Sequence, residues 1–191
     1  MKRKKVEQEK NTTQRYPQTT AESCLSVALL QLVHLQKGVR ITQEVEQRCL
    51  FSALQETRDD WVIGHLRFLS KRFKVKWQRT VQIPAYARWL KRFDSGAVKT
   101  VAAPINSKTI GKQLADGPLA VLLDDYPLFK IVHYPHWVVV LEQRGSGTAK
   151  KFRIFEPWEG KERWMTAALL DRGITLLRKH LRWSPQMIGL V

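Results

Sequence analysis

The stretch from residue 25 to residue 35 constrains this chain more than any other. Wound as a helix, it places Leu25, Val27, Leu29, Leu30, Leu32 and Val33 around most of its circumference. A helix that is apolar nearly all round has no face to turn to water, so the rest of the fold must enclose it. Thr20 and Ser23 just before it are residue types that cap helix N-termini, and Gly38 just after it is a stop signal. The spacing therefore predicts a buried central helix over residues 22–36. Its first turn carries Cys24.

The chain around it reads as α+β. A second helix is expected over 42–55, and a third running to residue 72 with Asp59 or Asp60 as its cap. Residues 73–77 alternate apolar and basic, which predicts a strand with one buried face. Short helices are expected at 84–93 and 107–114, with a strand at 98–103 between them. From there the pattern turns to β: apolar runs at 119–123, 137–142 and 152–155, with Gly145-Ser-Gly147 supplying a hairpin turn between the last two. Residues 165–170 and 174–181 read as helical and 187–191 as a final strand. A helical N-terminal half followed by an antiparallel C-terminal sheet is the α+β arrangement.

At 191 residues, 43% of them apolar and seven of them Trp, the chain is expected to be one compact domain over 14–191. Residues 1–13 are polar and charged and read as a basic, mobile tail. No apolar run reaches the roughly 18 residues of a membrane span, and no secretory signal pattern follows the charged start. Two cysteines, Cys24 and Cys49, make no disulfide framework, which points to a reducing, cytoplasmic setting. The net charge of +16 would attract anionic partners. Basic clusters at Lys71-Arg72, at Arg88, Lys91 and Arg92, and at Arg178-Lys179 carry much of it, but no named nucleic-acid motif accompanies them.

Four residues suggest chemistry. A thiol attacks only as a thiolate, and a helix N-terminus favours the thiolate through its unpaired N–H groups and its dipole. Cys24 stands at such a place. His136 opens the apolar run Trp137-Val-Val-Val-Leu141 and is the expected base, with Glu156 in Phe155-Glu-Pro-Trp158 holding its tautomer and orientation. Gln18, six residues before Cys24, is placed to donate to a developing oxyanion together with the Cys24 backbone N–H. Taken singly, a cysteine on an apolar helix is more often core filling, and Asp124-Asp125 after a strand offers another orienting acid. His133 and His136 stand three apart, but Pro135 between them argues against a helical metal site, and no metal or cofactor is expected.

The run Gln18…Cys24-Leu-Ser-Val-Ala-Leu-Leu, the segment Gly117-Pro-Leu-Ala-Val-Leu-Leu123, and His136-Trp-Val-Val-Val followed by Phe155-Glu-Pro-Trp158 together resemble the double-glycine leader peptidases, which process bacteriocin and peptide precursors. The resemblance implies a stand-alone papain-like domain. In it Cys24 would be nucleophile, His136 base, Glu156 orienting acid where the family carries aspartate, and Gln18 part of the oxyanion hole. Leu25 follows the cysteine where the family usually has a small residue. The expectation is hydrolysis of a peptide or amide bond in a peptide or protein substrate, through a thioester. An acyltransferase on the same site shares every residue. A catalytically silent domain that binds an anionic partner through its basic surface is the reading from another class.

Overall fold

The computed structural model describes residues 14–56 and 60–191; Asp59 and the N-terminal tail lie outside them. The chain opens with three helices, α1 (Cys24–Lys37), α2 (Gln43–Glu56) and α3 (Trp61–Phe73). It continues through β1 (Trp77–Val81), α4 (Pro84–Leu90), β2 (Val98–Ala102) and α5 (Ser107–Gln113). Then come β3 (Leu119–Asp124), the single turn α6 (Tyr126–Phe129), β4 (Pro135–Arg144), β5 (Lys151–Glu156) and β6 (Lys161–Thr166). Helix α7 (Ala167–Lys179) and strand β7 (Gln186–Leu190) complete the chain. The architecture is α+β.

Helix α1 is enclosed as its composition demands: every residue from Cys24 to His34 is buried. Trp77, Val98, Leu122, Trp137 and Val139 project from the sheet to meet it, and α2 and α3 cover it from the other side in one continuous core. A second core lies on the opposite face of the sheet, where Leu170 and Ile174 of α7 pack on Leu123, Val138 and Val140. Gly173 lets α7 approach closely, since a Cβ there would come within 3.3 Å of the Asp124 carbonyl oxygen and the Leu123 side chain.

The sheet departs from the expected antiparallel C-terminal layer. Among the described residues it has seven strands in the order β2-β1-β7-β3-β4-β5-β6. Strands β1 and β2 pair in parallel, which requires a crossover, and α4 provides it. The remaining pairs are antiparallel. The last strand, β7, inserts between β1 and β3 and so joins the first half of the chain to the second in one mixed sheet.

Two boundaries also differ from expectation. Phe73 ends α3 instead of opening a strand: Lys74 takes a left-handed conformation (φ 56°) and its N–H caps the helix on the Ser70 carbonyl. Residues 165–170 are not one helix either. Met165 is a buried strand residue paired with Phe152, and Thr166 caps α7 by accepting from the Leu169 N–H, after which α7 runs unbroken past Gly173. Asp60 does precede α3, yet its carboxylate makes no cap bond and instead takes the guanidinium of Arg79, which is buried and also donates to Gln186 Oε1 at 2.8 Å. That pair ties α3 to β1 and β7. Replacing Arg79 with Leu leaves a buried carboxylate without its cation. The expected cost in urea unfolding is about 3–5 kcal/mol, and a loss below about 1 kcal/mol would show that the pair contributes little.

Candidate active site

Cys24 is the first residue of α1 and is 4% exposed. The segment leading into it is fixed by a carboxylate the sequence reading passed over. Glu46 of α2 is fully buried, and its oxygens accept from Ser23 Oγ at 2.5 Å, the Thr19 N–H at 2.8 Å, Thr19 Oγ1 at 3.0 Å and Tyr16 Oη at 2.7 Å. Burial, together with the Glu46 hydrogen bond and charge, raises the Tyr16 phenol pKa well above its ordinary value. One acid therefore clamps residues 16–23 onto α2. A sequence signal for it exists: Glu46 sits in register with Cys49, Leu50 and Ala53, the apolar i, i+3, i+4, i+7 stripe of its helix. On the far side of α1, Ser26 Oγ lies 2.8 Å from Nε2 of His65, whose Nδ1–H donates to the Trp61 carbonyl. Burial drives the His65 pKa down to about 4, so this histidine is neutral and structural.

His136 enters from the start of β4 and Glu156 from the end of β5, 4% and 0% exposed. His136 Nε2–H donates to Glu156 Oε1 at 2.7 Å. Cys24 is near enough to the ring to act on its titration, and with Nε2 engaged by Glu156 the nitrogen left for it is Nδ1. Glu156 is held in turn by the backbone N–H groups of Trp158 at 2.5 Å and Glu159 at 2.8 Å. Burial alone would push the His136 pKa down. Its hydrogen bonds to Cys24 and Glu156 and the charges on both outweigh this and lift it from 6.5 to about 9. Burial likewise pushes Glu156 up, and the His136 hydrogen bond, the two N–H donors and the charge of His136 bring it below the usual carboxylate value. The arrangement is a largely buried imidazolium held by a buried carboxylate, with Cys24 nearby.

Gln18 lies in the clamped segment. Its backbone N–H donates to the Pro157 carbonyl at 2.7 Å, so the loop before Cys24 and the turn after Glu156 are joined directly. Gly160 permits this docking: it has φ +63°, and a Cβ there would stand 2.8 Å from the Pro17 nitrogen. The Gln18 side-chain amide donates to the Thr20 carbonyl at 2.8 Å and the Ala21 carbonyl at 3.2 Å, while its Oε1 is buried with no partner among the described residues. Its amide protons are thus engaged within their own loop.

The other sequence candidates are occupied elsewhere. Asp124 is fully buried and accepts from His133 Nδ1–H at 2.8 Å and from the Tyr126 N–H at 2.9 Å, so it orients His133 and not His136. His133 also stacks between Tyr126 and His180. Among the described residues no group of three or more His, Cys, Asp or Glu side chains is arranged to hold a metal. No described helix is long and apolar enough to cross a membrane.

A cleft runs past Cys24 and His136 in two lobes that share Ala21 and Tyr134. Cys24 lines a lobe of about 520 Å³, and His136 lines one of about 340 Å³.

Replacing Glu46 with Gln puts an amide where hydrogen bonds from Ser23, Thr19 and Tyr16 converge. A loss of about 2 kcal/mol in stability is expected, with slower alkylation of Cys24, whose helix start is loosened; an unchanged alkylation rate would separate Glu46 from the site. The raised His136 pKa gives a second test. Its stabilising contribution is complete below pH 6.5, the ordinary histidine value, and is lost as pH rises through about 9. Urea midpoints measured from pH 6 to 9.5 should therefore fall in the wild type by more than in His136→Gln, the difference amounting to at most about 3 kcal/mol. Parallel curves would remove the charged pair. Compared with known proteins, the chain matches no family model and no curated protein.

Proposed function

We propose that the chain is a papain-like cysteine hydrolase that cleaves a peptide or amide bond, in the manner of the double-glycine leader peptidases it resembles. The observation that carries this reading is the continuous line Cys24–His136–Glu156, in which a buried cysteine at a helix N-terminus meets an imidazolium fixed by a buried carboxylate. Such a line is made for nucleophilic attack.

In the first step Cys24 Sγ attacks the substrate carbonyl carbon and forms the S–C bond, and the carbonyl π electrons move to oxygen. The Cys24 N–H, at the start of α1, has no carbonyl of its own helix to meet and is the backbone donor for that oxyanion. Gln18 joins it by exchanging its longer, 3.2 Å bond to the Ala21 carbonyl for one to the oxyanion. Collapse breaks the C–N bond, and His136 Nδ1–H gives its proton to the departing amine. A water then attacks the thioester while the neutral His136 takes its proton; the S–C bond breaks, the acid leaves, and the thiolate–imidazolium pair is restored. Glu156 keeps Nε2 protonated and the ring in plane throughout.

Cys24→Ala should abolish turnover with the fold intact, and more than a few per cent residual activity would sink the mechanism. Glu156→Ala should lower kcat by about 10²-fold or more, because the ring loses its orientation. The imidazolium must be present for reaction, so kcat/KM should fall above about pH 9, where His136 deprotonates. Iodoacetamide labelling is the direct check. Cys24 should react rapidly below pH 7 and lose that reactivity in His136→Ala. Cys49 is the internal control, since it is fully buried and burial drives its thiol pKa far up.

A further inference from the structure

The chemistry of the proposed reaction assigns the two lobes of the cleft. The acyl part of a substrate stays bonded to Cys24 Sγ after the first step, so it occupies the lobe of about 520 Å³ that Cys24 lines. The leaving amine must receive a proton from His136 and so departs through the lobe of about 340 Å³ that His136 lines. The acyl-side lobe is walled by Leu50, Phe51, Leu54, Trp61 and Trp183, and among the described residues its one charged side chain is Glu22. Phe51 and Leu54 are 58% and 55% exposed, large apolar groups turned to water at the mouth of the site. The chain carries 33 Lys and Arg residues, yet among the described residues none lines either lobe. Across Trp61 and Trp183 the acyl-side lobe meets a further cavity of about 400 Å³, so the cleft continues away from the scissile bond. That suits an extended chain better than a small amide.

We propose, resting on the hydrolase reading, that the substrate is a peptide presenting a bulky, uncharged apolar side chain to this acyl-side lobe. Such a side chain covers Phe51 and Leu54 and displaces water from an apolar wall. Two glycines before the scissile bond, as the family resemblance implies, would leave the lobe empty. An acidic side chain would lose its hydration facing Glu22, with no Lys or Arg among the described lining residues to meet it.

The test uses acetyl-Leu-Phe, acetyl-Gly-Gly and acetyl-Glu-Glu chloromethyl ketones on the full chain. In each the Cys24 thiolate displaces chloride. Second-order rates of Cys24 modification, read by peptide mass mapping, are divided by the iodoacetamide rate of the same protein. The Leu-Phe ketone should react about tenfold or more faster than Gly-Gly, and Glu-Glu should be slowest. In Leu54→Asp the Leu-Phe advantage should shrink to about threefold or less. A Gly-Gly rate equal to or above Leu-Phe, or an advantage untouched by Leu54→Asp, overturns the substrate class. If either result accompanies His136-dependent iodoacetamide labelling, only the substrate class falls. If that labelling is indifferent to His136→Ala, the hydrolase reading falls, and this proposal with it.

Discussion

Everything in this molecule is arranged around the need to hide α1. A helix with no polar face must be surrounded, and here the sheet closes one side while α2 and α3 close the other. Enclosure fixes more than stability. A buried helix can reach solvent only at its ends, so the N-terminal turn with Cys24 emerges where β4 begins, beside His136. The central position of β7 belongs to the same solution, because the last strand, inserted between β1 and β3, brings Ile188 into the core around α1. The thiol and the imidazole are therefore brought together by the packing of apolar groups far more numerous than themselves.

Packing of that kind leaves buried polar groups that must be answered locally. Glu46, Glu156, Asp60 and Asp124 are all buried acids, and each is met by identifiable donors. In a medium of low polarity an unanswered carboxylate would cost several kcal/mol, so each of them specifies where its donors must lie. Glu46 specifies the path of residues 16–23, and Glu156 the ring of His136. The loop before Cys24 and the turn after Glu156 then meet through Gln18 and Pro157, joining the two segments through backbone.

The α+β class, the central helix and most strands were legible because each rests on local pattern: an all-round apolar helix, alternation, Gly-rich turns. Cys24, His136 and Glu156 could be singled out because each stands at the edge of such an element. What the sequence hid was tertiary. Residues 73–77 alternate like a strand, but a left-handed cap at Lys74 lets Phe73 finish α3, and the strand starts at Trp77. The inward side of that strand carries Arg79 between Trp77 and Val81, a charge in a core position that only Asp60, from a distant element, makes tolerable. The parallel pairing of β1 and β2 had no local signature. Gln18 shows the limit most clearly: its spacing from Cys24 is readable, but the carbonyls that hold its amide are known only from the folded loop.

Glutamate at position 156 has a physical account in the folded turn. The residue ends β5 and is followed by Pro157, whose fixed φ directs the chain sharply away. A carboxylate on the shorter side chain would stay close to the strand. The extra methylene lets Glu156 span the distance to His136 Nε2 while its oxygens curl back to accept from the N–H groups of Trp158 and Glu159. Those two backbone donors compensate the acid for its complete burial, without a metal or a second cation, and they anchor it against rotation. With the carboxylate immobilised from both sides, the imidazole it holds through Nε2 has one orientation, which leaves Nδ1 free of Glu156. The longer side chain is therefore matched to a turn that bends back on itself, and the geometry of the turn, more than the length of the acid, sets where His136 points.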